Sequence, residues 1–460
     1  MTLIKSISGI RGTIGGLSGE TLSPLDLVKF TSAFGGWLLE YHPQVRVVLG
    51  RDARTSGEMI AQIVAATLQA QGIEVLDLGL STTPTVEMAV SMEKAQGGII
   101  LSASHNPGQW NALKLLNEAG EFLKPAQSEQ VLKKAEAEVF SYVEPKKIGH
   151  YRRDATYLKK HIDAILALPL VDLEAIQQSQ LSVIVDGVNS SGGVAVPALL
   201  EALGVAHVTE LYCEPNGLFP HNPEPLPENL TDIAREMQKG SYDLGIVVDP
   251  DVDRLALLCE DGSMFGEEYT LVAVADYVLR HTPGPTVSNL SSTRALRDIT
   301  EKAGQLYAAT PVGEVHVVAK MKEIGAVIGG EGNGGIIYPP LHYGRDALVG
   351  IALFLSHLAK SGRKASYLKA SYPSYFISKN KVSLTPDIDV DEVLTNIQQK
   401  YQQHPVNTED GVKIEFEKSW VHLRKSNTEP IIRIYAEAEA PSMADNIAAK
   451  IMQDIKEIVA

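Results

Sequence analysis

One arrangement of apolar and polar positions occurs three times along the chain. A short β-branched run at 45–49 gives way to a polar turn, a helical periodicity from about Ser56, a stop at Gly72 and a second apolar run at 73–78. The run 183–185 leads into a Gly- and Ser-rich turn at 187–193, a helical stretch, Gly204 and the run 205–211. The run 286–290 leads into Ser291, Ser292 and Thr293, then a helix ending at Gly304 and another extended run. Short buried strands alternating with helices that stop at glycine predict parallel α/β units. Three in tandem predict three related α/β domains. Beyond Tyr372-Pro373 the segments 420–424 and 431–436 alternate apolar and polar residues, and a helical pattern covers 443–459. That predicts a smaller α+β domain with a half-exposed antiparallel sheet. The expected domains are 1–150, 151–258, 259–372 and 373–460.

Composition narrows the function classes. At about 150 residues per domain, 460 residues suggest roughly three domains, with two or four tolerable. The formal net charge is −15, which argues against nucleic acid and anionic membrane as partners. An anionic substrate would then need local Arg and Lys to hold it against the overall field. Cys213 and Cys259 are too few for a disulfide framework or a cysteine zinc site, and the twelve histidines show no ligand-type spacing. Glycine breaks the N-terminus before a signal-peptide run forms, and no stretch reaches membrane-spanning length, so the expected location is the cytoplasm. Oligomeric state is not legible.

Four short segments, one in each expected domain, carry candidate chemistry. Ser102-Ala103-Ser104-His105-Asn106-Pro107 follows the apolar run 98–101, with Asn111 and Lys114 just beyond. A Ser–His pair invites a hydrolase reading, but no G-x-S-x-G elbow is present, and Ser, Asn and Pro also make ordinary turns. The strand 242–248 runs into Asp249-Pro250-Asp251-Val252-Asp253-Arg254. Three carboxylates at every second position need partners if buried, and hard oxygen ligands in one tight turn suit Mg²⁺. A solvated acidic turn is the plain alternative. Pro250 and Arg254, the latter where the loop glycine should be, argue against an EF-hand. A haloacid-dehalogenase-type phosphatase would use Asp249 as nucleophile, but Asp253 stands where that pattern needs a hydroxyl.

Gly330, Gly332 and Gly335 satisfy G-x-G-x-x-G after the run 326–328, yet Tyr338-Pro339-Pro340 follows where a nicotinamide site needs a helix. What remains is a close-approach glycine loop carrying Glu331, an acceptor for sugar hydroxyls. The fourth segment, Arg424-Lys425-Ser426-Asn427-Thr428-Glu429-Pro430 with Arg433 beyond, gathers hydroxyl, amide and guanidinium donors in one turn. Such a turn is a phosphate cradle or a solvated hairpin.

Taken in order, SASHNP, DPDVDR, GEGNGG and RKSNTEP, with the opening Ser8-Gly9-Ile10-Arg11-Gly12, resemble the α-D-phosphohexomutase superfamily across essentially the whole chain. The resemblance implies four domains around a central cleft and an intramolecular phosphotransferase that interconverts hexose 6- and 1-phosphates through a phosphoserine and a bisphosphorylated sugar. It makes Ser104 the phosphoserine, held with Mg²⁺ by Asp249, Asp251 and Asp253. Glu331 would contact sugar hydroxyls, with Asn333 standing where many relatives have serine. Arg424, Ser426, Asn427 and Thr428, with Arg433 nearby, would hold the phosphate that is not being transferred. His105 and Lys114 are the implied general acid/base candidates, and Arg254 and Arg11 would line the transfer site. Glu314 falls where some glucose/mannose enzymes have histidine, so His316 is not carried over as catalytic.

SASHNP and GEGNGG look most similar to phosphoglucosamine mutases, which implies glucosamine 6-phosphate/1-phosphate, with phosphoglucomutase or phosphomannomutase activity the alternative. A second phosphate station favours a mutase over an aspartate-nucleophile phosphatase. A nicotinamide enzyme and a non-catalytic sugar-binding protein are the remaining rivals.

Overall fold

The computed structural model describes residues 2–6, 9–385, 388–425 and 431–459. The chain folds as two compact units, Met1–His281 with Asn333–Lys369, and Thr282–Gly332 with Ala370–Ala460.

In the first unit, a seven-stranded sheet contains β1 (Ile4–Ser6), β2 (Gly9–Thr13), β3 (Arg46–Arg51), β4 (Glu74–Leu80), β5 (Gly97–Leu101), β6 (Trp110–Leu116) and β7 (Tyr151–Arg153). Their order is β1-β2-β6-β5-β3-β4-β7. β3 is parallel to β4 and β5, and β7 is parallel to β4, whereas β6, β2 and β1 extend the sheet antiparallel. A second sheet of the same unit holds β8 (Ser182–Asp186), β9 (His207–Leu211), β10 (Leu244–Val248) and β11 (Leu255–Cys259) in the order β11-β10-β8-β9. Here β8 is parallel to β9 and β10, and β11 is antiparallel.

The second unit contains β12 (Thr286–Asn289), flanked by β13 (Tyr307–Thr310) and β14 (Ile328–Glu331), all parallel. The strand β15 (Gly335–Ile337) follows within the first unit. The tail forms an antiparallel sheet of β16 (Phe376–Ser383), β17 (Val406–Asn407), β18 (Val412–Glu415), β19 (Trp420–Lys425) and β20 (Ile431–Ala438), ordered β16-β20-β19-β18-β17. The Val390–Lys400 and Pro441–Val459 helices pack against it. Among the described residues no helix is long and apolar enough to cross a membrane.

The threefold pattern of the sequence is thus a repeated topology. In each block the first strand lies between the second and the third, as β4-β3-β5, β9-β8-β10 and β13-β12-β14. Every residue of β5 and β10 is buried, which is why these strands read as unbroken apolar runs. The stop glycines Gly72, Gly204 and Gly304 have φ of +83°, +75° and +71°, the left-handed conformation in which helices commonly end. The chemistry-bearing segments SASHNP and DPDVDR follow β5 and β10, and Glu331 closes β14. All three lie at the carboxyl end of the third strand of a block.

The glycine loop has its own steric reason. Gly334 sits at φ +80°, and its carbonyl accepts the Leu255 N–H at 3.1 Å. A Cβ there would lie 2.0 Å from the Leu255 carbonyl oxygen. Gly334→Ala should therefore cost at least about 2 kcal/mol, from left-handed strain plus displacement of β11's first residue. Denaturant unfolding checks this, and an unchanged midpoint would show that the loop shifts at no cost.

Candidate active site

Asp52, just past β3, organises the loop that follows β5. Its Oδ2 accepts the Ser102 hydroxyl at 2.6 Å and Arg54 Nε at 3.0 Å, and Ser102 Oγ accepts the Ser104 N–H at 2.9 Å. Arg54 is fully buried. Its Nη1 donates to the carbonyls of Pro107 (2.6 Å) and Trp110 (3.1 Å), and its Nη2 to those of Ser104 (2.5 Å) and Asn106 (2.6 Å). All five guanidinium N–H groups are thereby committed, four of them to one loop. That grip holds Ser104 at φ +47°, a strained conformation for a residue with a side chain.

Ser104 Oγ donates to Asp249 Oδ2 at 2.6 Å. The three aspartates between β10 and β11 are wholly buried. Asp249 Oδ1 accepts the backbone N–H groups of Asp253 and Arg254, both at 3.1 Å. Asp251 Oδ2 accepts Lys114 Nζ and the Thr83 hydroxyl, each at 2.5 Å. Asp253 Oδ2 accepts Arg345 Nη2 at 2.7 Å, with Lys114 Nζ at 3.4 Å. The hydroxyls of Ser190 and Ser191, after β8, both donate to the Pro250 carbonyl, at 2.7 and 2.6 Å. Val252 is forced to φ +64°, an outlier for a β-branched residue.

Two carboxylate oxygens, Asp251 Oδ1 and Asp253 Oδ1, are buried without a hydrogen-bond partner. Each forgoes about 1–3 kcal/mol unless something charged meets it. One ligand oxygen from each aspartate lies within 4.8 Å of the others, so the residues present fit a hard divalent cation. Burial pushes Asp249 well above the usual carboxylate range, and the charges of Asp253 and Asp251 add to the effect. For Asp251 burial acts in the same direction, but the Lys114 ammonium and the Thr83 hydroxyl outweigh it and hold the acid below its ordinary value. Burial alone would lower Lys114, yet Asp251 and Asp253 raise it, fixing the group as an ion-paired ammonium.

The charges of Arg254 and Arg11 act on His105, the residue after Ser104. His105 Nδ1 lies 3.4 Å from Ser104 Oγ, so these adjacent side chains do approach each other. Burial, followed by the charges of Arg254 and Arg11, holds His105 well below its usual value, leaving a neutral imidazole. Arg11, on β2, is itself lowered by burial and by Arg254. Arg254 Nη1 reaches Glu224 Oε1 at 3.4 Å. Asn333 turns its side-chain oxygen onto the Gly335 N–H of its own loop at 3.1 Å.

In the second unit, Glu331 Oε1 accepts Asn289 Nδ2 at 2.9 Å and the Gly313 N–H at 3.1 Å. Asn289 Oδ1 accepts the Ser292 hydroxyl at 3.1 Å, and Ser292 Oγ accepts the Gly332 N–H at 3.0 Å. Arg424 Nε donates to Asp410 Oδ2 at 2.8 Å, and Arg424 and Arg433 stand directly opposite on β19 and β20. Ser426, Asn427 and Thr428 lie outside the described residues. Sequence reading missed Arg54, Thr83, Arg345 and Asn289. Only the run Arg51-Asp52-Ala53-Arg54, charged residues directly after a buried strand, offered a signal.

Models of the phosphoglucomutase/phosphomannomutase family match the chain in four successive pieces: α/β/α domain I over residues 4–141, domain II over 159–262, domain III over 266–375 and the C-terminal domain over 385–454. A phosphoglucomutase/phosphomannomutase of Thermococcus kodakarensis is 35% identical over 94% of this chain and 95% of its own. A probable phosphoglucosamine mutase of Methanopyrus kandleri is 32% identical over 98% and 97%. The crystal structure of a phosphoglucomutase/phosphomannomutase family protein from Burkholderia thailandensis superposes with a TM-score of 0.85 at 25% identity, covering 99% of this chain and 98% of that one.

Arg54 generates a test independent of activity. Lysine offers three donors from one point and cannot serve four carbonyls and a carboxylate. Arg54→Lys should cost about 2–4 kcal/mol in unfolding free energy and speed amide exchange across 103–110. A variant as stable as the parent, with unchanged exchange, would show that the loop holds its shape without that grip.

Proposed function

We propose, from the premise that this chain belongs to the phosphoglucomutase/phosphomannomutase family of phosphohexomutases, that it moves a phosphoryl group between the 6- and 1-positions of a hexosamine phosphate by way of Ser104. The observation that carries this reading is the 2.6 Å hydrogen bond from Ser104 Oγ into a buried trio of carboxylates that keeps two unpartnered oxygens.

Phosphorylating Ser104 would place a dianion beside Asp249, which demands a compensating cation. Magnesium is the ion proposed. Asp249, Asp251, Asp253 and a phosphoryl oxygen on Ser104 would hold it, and when bound it supplies charge neutralisation for the transferring group. The chain's own groups do the rest. In the first transfer the P–O bond to Ser104 breaks as one forms to the free hydroxyl of the sugar monophosphate, and the hydroxyl proton ends on Ser104 Oγ. The second transfer reverses this with the other phosphate of the bisphosphate. Asp249 is the acceptor of the Ser104 hydroxyl at 2.6 Å, and the neutral His105 stands beside Ser104 Oγ at 3.4 Å. Arg11 and Arg254 give the incoming phosphate its positive surroundings.

For the idle phosphate we assign the Arg424 turn, with Ser426, Asn427, Thr428 and Arg433. Arg424 and Arg433, directly opposite on the two strands that flank the turn, bring two guanidinium groups to its ends. Glu331, oriented by Asn289 and the Gly313 N–H, is assigned to the sugar hydroxyls, with Asn333 beside it in sequence.

Intact-mass measurement of active protein should show a fraction heavier by one phosphoryl group, mapped to Ser104. Ser104→Ala should lose activity by at least about 10⁴-fold, whereas an aspartate-nucleophile phosphatase would keep it. Chelation should suppress turnover and magnesium restore it. A fully active enzyme with no modified fraction would end the phosphoserine proposal.

Glucosamine phosphate is the substrate favoured by the SASHNP and GEGNGG segments and by the name of the Methanopyrus kandleri relative. The name of the Thermococcus kodakarensis relative favours glucose and mannose phosphates as the second reading. On the three 1-phosphates, kcat/KM should be greatest for glucosamine by about tenfold or more. A lead for glucose or mannose 1-phosphate would replace the first reading with the second.

A further inference from the structure

No histidine spacing in the chain suggests a metal site, yet folding overturns that impression in the first unit. His161 lies on the Tyr157–Leu166 helix, His342 precedes the Ala347–Ser361 helix, and Asp346 caps that helix. His161 Nε2 and His342 Nε2 approach the same oxygen, Asp346 Oδ2, at 2.8 and 3.2 Å. The three groups offer ligand atoms that all lie within 4.8 Å of one another. The second oxygen of Asp346 accepts the N–H groups of Leu348 and Val349, at 2.8 and 3.3 Å, which fixes the carboxylate's orientation. The outer nitrogen of His161 is engaged by a hydroxyl, and that of His342 faces a carboxylate without a hydrogen bond to it. His161 Nδ1 is 3.0 Å from Thr85 Oγ1, and His342 Nδ1 is 3.5 Å from Glu87 Oε2.

We propose that His161, His342 and Asp346 form a second cation site, distinct from the aspartate trio, that takes a transition-metal dication of the zinc type. Two imidazole nitrogens and a carboxylate oxygen are a zinc donor set, in contrast to the all-oxygen trio that suits magnesium. Zinc bonds of 2.0–2.1 Å in a tetrahedron separate ligand atoms by about 3.3 Å, the scale of the two spacings seen. Ligating histidines almost always have their outer nitrogen held by a carboxylate or another polar group; Thr85 stands in that position for His161, and Glu87 lies 3.5 Å from the outer nitrogen of His342. Asp346 and Glu87 are both buried here, and a cation beside them lowers the cost of keeping carboxylates away from water.

The location gives the site a consequence. Thr83, two residues before Thr85 on the same helix, donates to Asp251, and Arg345, next to Asp346, donates to Asp253. A cation held by His161, His342 and Asp346 braces both supports of the acidic turn.

The test uses the full chain and needs no turnover. Chelator-stripped protein is dialysed against zinc in a large excess of magnesium, which occupies the aspartate trio, and bound metal is counted by mass spectrometry. About one equivalent of zinc should remain, raise Tm, and be replaceable by cobalt(II) with the visible absorption of a four-coordinate nitrogen/oxygen site. His342→Gln should lose this zinc, as should His161→Gln. Glu87→Gln should retain it with about 10–100-fold weaker binding. Absence of retained zinc and of any zinc-dependent rise in Tm would overturn the proposal and leave a hydrogen-bonded His–Asp–His cluster. Retention of zinc by the histidine variants would overturn it equally. If His161→Gln does not fold, His342→Gln, altered at the cluster's more open edge, decides.

Discussion

Three carboxylates with no exposure to water, packed within ligand distance of one another, cannot persist without compensation, and much of the first unit is arranged to supply it. Lys114 and Arg345 bring two positive charges, Thr83 and Ser104 bring hydroxyl donors, and the N–H groups of Asp253 and Arg254 close on Asp249. The balance is short: two oxygens stay without a hydrogen bond, one of them, Asp253 Oδ1, with Arg254 Nε at 3.9 Å, and Asp249 is left with a raised proton affinity. A site complete in itself would have no attraction for a cation or a phosphoryl group. Incomplete compensation at full burial is what separates this turn from a solvated acidic loop.

The chemistry is placed by topology. In all three α/β blocks the candidate segment leaves the third strand, and residues at the end of the first strand or just beyond it support it. Asp52 and Arg54 after β3 shape the Ser104 loop, Ser190 and Ser191 after β8 hold Pro250, and Asn289 at the end of β12 orients Glu331. Neighbouring parallel strands end at the same edge, so the two loops are adjacent whatever their sequences. One plan thus places the Ser104 loop, an acidic turn and Glu331, each with its own local brace.

Strained backbone occurs in these segments too, as it does at Val188 and Tyr212. Ser104 and Val252 both hold left-handed φ without being glycine, at an expected cost of about 1–3 kcal/mol each. Such backbones last only where surrounding bonds over-determine them. Arg54 does this for Ser104, and the Ala347 N–H, which donates to the Val252 carbonyl at 3.1 Å, contributes for Val252.

What the sequence determined by itself was everything carried by neighbouring residues. Period-2 and period-3.6 patterns with glycine stops were enough for three strand–helix–strand blocks and an antiparallel tail, because burial acts on each element's own face. Ser104 and Asp249, Asp251 and Asp253 were legible because each set is contiguous and chemically conspicuous. Tertiary structure alone decided what meets them. Arg54 acts on backbone carbonyls some fifty positions away, and a carbonyl has no residue identity to read. Arg345 reaches Asp253 across 92 positions, and His161 reaches Asp346 across 185. Such pairings depend on which strands lie side by side and which helix ends converge. That geometry is fixed by packing of the whole unit, and no local pattern along the chain records it.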